Sequence, residues 1–278
     1  MGAARHRLYE WPPAIKAVRF AAVHPVRDGL LFGATALAGA VNAVAGGGTL
    51  LSFPAALASG MPSPVANATN ALAMSPGSFA SAWAYRREIG TPPQRRLAAL
   101  LCAPTIAGAV IGAVLMRLTP ERLFDAIVPL LVFGATLILL LQGFGRGRAE
   151  LSEAPSRGRL ILAVALQLLV GVYGGYFGAA MGIVMLALLS MLPGGIQGRI
   201  AIKNLLGAVA NGVAAVYFVA SGLVDAHAAV IMVPAAVIGG LAGGHAARRA
   251  SPRVVRLTVV AIGLGVSALL GYRALAGR

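Results

Sequence analysis

Apolar residues run through this chain in long, nearly unbroken stretches, at residues 29–60, 65–84, 97–118, 122–143, 159–192, 200–221, 226–247 and 254–276. They lack both the two-residue alternation of a half-buried strand and the polar face of a soluble helix. The pattern predicts helices immersed in hydrocarbon, since a bilayer core about 30 Å thick takes about 20 helical residues. Six of the eight stretches match that length.

The two exceptions, 29–60 and 159–192, are too long for one perpendicular helix, and each carries glycines near its middle. The first has Gly46-Gly47-Gly48; the second has Gly171, Gly174, Gly175, Gly178 and Gly182. Each is expected to be a broken or re-entrant unit, because glycine readily leaves helical geometry. Unwound backbone exposes N–H and C=O groups that cost several kcal/mol apiece in lipid. It persists only where protein or a watery cavity surrounds it, so the two breaks mark the expected substrate site.

The halves resemble each other. A shift of 134 residues lays Gly48 on Gly182, Gly60 on Gly194 and Asn70 on Asn204, and a shift of 131 lays Gly108 on Gly239, Gly112 on Gly243 and Arg117 on Arg248. The expected organisation is therefore an amphipathic basic tail (1–28), a first transmembrane repeat (29–143), a basic linker (144–158) and a second repeat (159–278). Each repeat opens with a glycine-rich broken unit followed by three transmembrane helices.

Charge then bears on orientation, because Lys and Arg collect in cytoplasmic loops. In the first half the loop after the second unit holds Arg86, Arg87, Arg95 and Arg96, and the next holds Arg117 and Arg122 against Glu121. In the second half the bias flips: the equivalent early loop has Asp225 and no basic residue, and the later one has Arg248, Arg249, Arg253 and Arg256. Opposite bias at equivalent places predicts inverted repeats. The same assignment puts the basic amino-terminal tail outside, against the rule, whereas parallel repeats would export the four-arginine loop.

Composition agrees with a lipid solvent: 58% hydrophobic residues, only 11% charged and a mean hydropathy of +0.82, where a soluble domain carries about a quarter of its residues charged. The net charge of +15 sits between the apolar runs and at the tail, so it signals topology and not nucleic-acid binding. One cysteine, Cys102, rules out a disulfide framework. The tail has no uninterrupted apolar core of a cleavable signal peptide. No Walker loop, zinc-ligand spacing or paired carboxylates are present, so the sequence calls for no cofactor and no metal.

Two segments carry a family resemblance: "GAVNAVAGGGTLLSFPAALASGMPSPVANATNALAMSPGSFASAWAYRR" over 39–87, and "GVYGGYFGAAMGIVMLALL" followed by "AIKNLLGAVANGVAAVYFVASGLVD". Together with "GGLAGGHAARR" they resemble the TauE/SafE family, the sulfite exporter-like permeases, over nearly the whole chain from residue 29. The resemblance implies a bacterial-type inner-membrane permease for small anions such as sulfite, sulfonates and other organosulfur compounds. It does not choose among them. The second motif, Gly178-Ala-Ala-Met-Gly182, is poorer in glycine than the first, which puts strict symmetry of two half-sites in doubt.

The physical task is to hold a small anion briefly in a low-dielectric slab, and partial charges suit it. Gly46, Gly47, Gly48 and Thr49 can aim backbone N–H groups at an anion where a half-helix begins, with Gly178 and Gly182 as the counterpart. Close helix packing is the competing reading for small residues, and it is preferred for Gly108/Gly112 and Gly239/Gly243. Asn42 sits just before the triple glycine, Asn67 and Asn70 open the second apolar unit, and Asn204 and Asn211 lie in the sixth, where their amides line a path or glue helices together. Lys203 is the one lysine near an apolar stretch, either attracting the anion or snorkelling to the headgroups. Tyr173 and Tyr176 could donate O–H bonds or simply pack. No carboxylate sits at mid-span, so proton coupling falls to the substrate or to His245, which also reads as interfacial.

Three functions compete: a secondary transporter or facilitator of a small anion, with or without a proton; an intramembrane transferase, which would need clustered His, Asp or Glu; and a scaffold that moves nothing. The first accounts for two repeated, amide-flanked breaks. Its partners are the lipid bilayer and the anion, not nucleic acid, and the oligomeric state is left open.

Overall fold

A computed structural model of the chain describes residues 24–89, 91–141 and 156–246, with scattered positions between 260 and 272. Most of the basic tail, most of the 144–158 linker and most of the 254–276 stretch lie outside the described residues. The nine helices described over residues 25–246 are α1 (Pro25–Val44), α2 (Thr49–Ala58), α3 (Ser63–Ala84), α4 (Pro92–Leu118), α5 (Glu121–Leu141), α6 (Arg157–Tyr176), α7 (Met181–Leu189), α8 (Ile196–Ala220) and α9 (Ala226–Ala246). Among the described residues there are no strands.

Both long stretches are broken at their glycines, the first between α1 and α2 and the second between α6 and α7. Helices α1 and α4 start earlier than hydrophobicity alone predicts, each with proline in its first turn. Helix α1 begins at Pro25, where a missing N–H is no loss, and the Asp28 carboxylate accepts from the His24 N–H at 3.3 Å. Helix α4 gains Pro92-Pro93-Gln94-Arg95-Arg96 ahead of its apolar run.

Among the described residues, α4, α6, α8 and Ala226–His245 of α9 are long and apolar enough to cross a bilayer. Helix α3 is long enough but more polar, and burial explains why: Asn67, Thr69, Asn70, Ser75, Ser78 and Ser81 all point inward, shielded from lipid by α8 and α9, against which α3 packs.

Each half's opening helix packs on the other half's third long helix, α1 on α9 and α6 on α4. Glycine makes both approaches close. A Cβ at Gly112 of α4 would lie 2.7 Å from Tyr176 N in α6, and one at Gly239 of α9 would lie 2.7 Å from the Ala36 carbonyl carbon in α1. These glycines are packing faces, as their spacing predicts. Near the start of the α1–α9 pair, His227 Nε2 lies 3.1 Å from Asp28 Oδ2.

Helices α3 and α8 cross at the centre. Ser75 Oγ donates to Ala208 O at 3.0 Å, while Tyr85, the C-cap residue just past α3, clusters with Ile200 and Ala201, earlier in α8. The two helices therefore run antiparallel.

Candidate functional site

The site grows out of the two breaks. In the first, Ala45 N–H still bonds Val41 O at 2.8 Å and Gly46 N–H bonds Asn42 O at 3.2 Å. Gly46 then turns to φ +85°, and α2 starts at Thr49. In the second, Gly178 takes φ +71° and Ala180 φ +56° before α7 starts at Met181. An alanine in the left-handed region costs about 1 kcal/mol, so packing around the break holds it there.

The breaks meet. A Cβ at Gly46 would lie 2.6 Å from the Gly182 carbonyl carbon and 2.7 Å from its Cα, and a Cβ at Gly182 would lie 2.8 Å from Gly46 Cα. Real side chains do not reach such distances, so only glycine at both positions lets the two backbones touch.

Around this contact the helix ends are capped across the halves. The Lys203 ammonium of α8 donates to Asn42 O at 2.5 Å, and Asn204 Nδ2 donates to Ala43 O at 3.1 Å. Both acceptors are terminal carbonyls of α1, where the negative end of the helix dipole lies. In mirror fashion, Asn67 Nδ2 of α3 donates to Tyr176 O, the last carbonyl of α6, at 3.0 Å. Asn42 reaches α3 itself, Nδ2 donating to Ser78 Oγ at 3.0 Å.

Other sequence-identified residues serve the frame. Asn70 Oδ1 accepts from Ser52 Oγ at 2.5 Å, tying α3 to α2. The Tyr173 hydroxyl donates to Ala179 O at 2.6 Å, steadying the second break. Tyr176 is directed away from the junction: its hydroxyl donates to Thr119 Oγ1 at 3.2 Å and its ring lies 5.8 Å from that of Phe124. His245 is exposed at the end of α9, its Nδ1 2.7 Å from Leu241 O.

Between the half-helix starts lies a small cavity lined by Asn42, Thr49, Ser78, Gly178, Met181, Gly182, Lys203, Asn204, Gly207 and Asn211. Its free volume is ≈ 10 Å³, about the room one water needs. An anion of four heavy atoms requires it to widen. A larger groove of ≈ 440 Å³ opens where α4 and α6 begin, among Pro93, Leu97, Leu100 and Leu160 with Arg96 beside them, but it is apolar and contains none of the residues of the breaks.

The junction is rich in unused donors. Among the described residues, the N–H groups of Gly47, Gly48 and Thr49 find no hydrogen-bond partner, and neither do those of Ala179, Ala180 and Gly182. Lys203 is 1% exposed, and among the described residues no carboxylate pairs with it. It does not snorkel. Ser78, Met181 and Gly207 were not singled out from sequence. Asn204, Gly207 and Asn211 follow helical spacing, as do Asn70, Met74 and Ser78, so the stripe containing Ser78 and Gly207 was legible, whereas Met181 gave no polar signal. Among the described residues, no group of three His, Cys, Asp or Glu side chains could hold a metal ion.

Comparison with known proteins agrees with this architecture. The family model "Sulfite exporter TauE/SafE" matches residues 31–270. The chain is similar to "Probable membrane transporter protein YfcA" of Escherichia coli (strain K12), 29% identical over 255 residues, spanning 90% of this chain and 91% of that one. It is also similar to "Probable membrane transporter protein ORF9" of Sinorhizobium sp, 27% identical over 244 residues, 86% of this chain and 91% of that one. A third relative, "Probable membrane transporter protein" of Haemophilus influenzae, is 22% identical over 247 residues, 87% and 94% of the two chains. No solved structure matches it. A multi-pass helical chain matched over this length is a membrane transporter and not an enzyme, and it belongs to the TauE/SafE family.

Proposed function

We propose that this transporter carries a small anion, sulfite, a sulfonate or another organosulfur anion, and that the anion binds where the two breaks meet. The observation that carries the reading is Lys203. Burying an ammonium ion costs several kcal/mol even after relaxation. The dipole at the end of α1 returns no more than about 2 kcal/mol. A buried lysine with no carboxylate partner among the described residues, facing a cavity whose walls also offer free backbone N–H groups, is completed by an anion. Thr49, Asn211 and the half-helix starts of α2 and α7 supply the remaining contacts.

Inverted repeats fit the same picture. At the 134-residue shift the left-handed positions fall together, Gly46 with Ala180 and Gly60 with Gly194, and so do the capped carbonyls of Asn42 and Tyr176. Ser75 falls within one residue of Ala208, its own partner. Equivalent helices that cross antiparallel at equivalent residues support a two-fold axis in the membrane plane. The cap is a lysine in one half and an amide in the other, so the proposed site is asymmetric. The repeats would divide at the 144–158 linker, in a bacterial-type inner membrane.

The test is flux. Purified protein in liposomes, offered sulfite, sulfate, thiosulfate and short sulfonates with and without a proton gradient, is expected to show saturable uptake of at least one of them. Uptake no faster than in empty liposomes across the whole panel would overturn the reading.

A further inference from the structure

Of the side-chain polar atoms on the residues lining the cavity, one is buried without a hydrogen-bond partner among the described residues. Asn204 is 1% exposed and lines the cavity. Its Nδ2 is committed to the Ala43 carbonyl, which can only accept, so the amide orientation is fixed and Oδ1 is the atom left over. That Oδ1 is buried and has no hydrogen-bond partner among the described residues. A bare oxyanion cannot satisfy it, because two acceptors facing each other repel. Neighbouring Lys203 directs its ammonium to Asn42 O instead.

We infer that the transported anion brings a hydrogen-bond donor of its own: a monoanion bearing a protonated oxygen or a hydroxyl, whose negative end meets Lys203 and the free N–H groups and whose O–H meets Asn204 Oδ1. This rests on the anion reading above and narrows it. A fully deprotonated dianion such as sulfate satisfies the donors and leaves Oδ1 unpaired. A hydrogen-oxyanion or a hydroxylated sulfonate satisfies both. Discrimination of this kind is asymmetric in magnitude, since leaving a buried acceptor unpaired costs more than the net gain from an average hydrogen bond.

Two probes of equal charge and nearly equal size separate the cases: ethanesulfonate, with no donor, and 2-hydroxyethanesulfonate, with one. Each is measured as a competitor of whichever anion moves in the liposome panel. Wild-type protein is expected to bind the hydroxylated probe about tenfold more tightly. Asn204→Leu is expected to lower that preference to near unity, and Asn204→Ala, which removes the amide without added bulk, reports the same change if the leucine variant does not fold. Equal inhibition by the two probes in wild type, inhibition by neither, or a preference that survives substitution of Asn204 would overturn this inference while leaving anion transport standing. Failure of every anion in the panel to move would take both.

Discussion

Lys203 combines two properties that seldom coexist: full burial and, among the described residues, no paired carboxylate. If its charge serves an anion and not the fold, Lys203→Met should leave the unfolding midpoint in detergent unchanged or raised, because replacing a buried charge with an apolar chain of similar length is often neutral or stabilising. Asn42 O retains the Gly46 N–H as a donor, so no carbonyl is stranded. Anion uptake should fall at least about tenfold, the scale of one lost charge-assisted contact. A large loss of stability would instead mark Lys203 as a structural cap. Asn67 gives the contrast, since its amide holds the last carbonyl of α6; Asn67→Leu should lower stability by about 1 kcal/mol, read from the same melts.

At the scale of elements, the breaks are held by backbone contact. Gly46→Ala combines a left-handed φ of +85° with a Cβ 2.6 Å from Gly182 backbone, so it should separate α2 from α7 and abolish uptake. Gly60→Ala has a similar φ, +87°, and nothing within 4 Å; it should cost about 1 kcal/mol and keep uptake, as parallel flux and melting measurements would reveal. The breaks were legible in the sequence because excess length and clustered glycines both broadcast an interruption. What meets what was not. Nothing local in Gly46 or Gly182 says that they touch, and the amides of Asn67 and Asn204 become caps only once each helix end lies beside the other half. Alanine at 180 in left-handed geometry was equally hidden, since tertiary packing and not propensity puts it there. Polar α3 looked like an ordinary span from its length alone, although its inward serines and asparagines mark it as an inner helix.

For the whole molecule, the antiparallel crossing of α3 and α8 makes a topological prediction. The turn after α3 and the turn after α8 should lie on opposite membrane faces, the arginine-bearing one inside. With the single native thiol, Cys102, replaced by serine, Arg87→Cys and Ser221→Cys should each react with a membrane-impermeant maleimide from opposite sides; labelling from the same side would exclude inverted repeats. The cavity, ≈ 10 Å³, is too tight for a four-atom anion, so transport requires the two halves to part at the glycine contact. On the proposed function, an anion rests against Lys203 at that contact. Equilibrium binding of the fastest-moving anion to purified protein, wild type against Lys203→Met, tests it most directly. Saturable binding of one anion per chain should weaken at least about tenfold in the folded variant; undiminished binding by that variant would mean that the anion rests elsewhere.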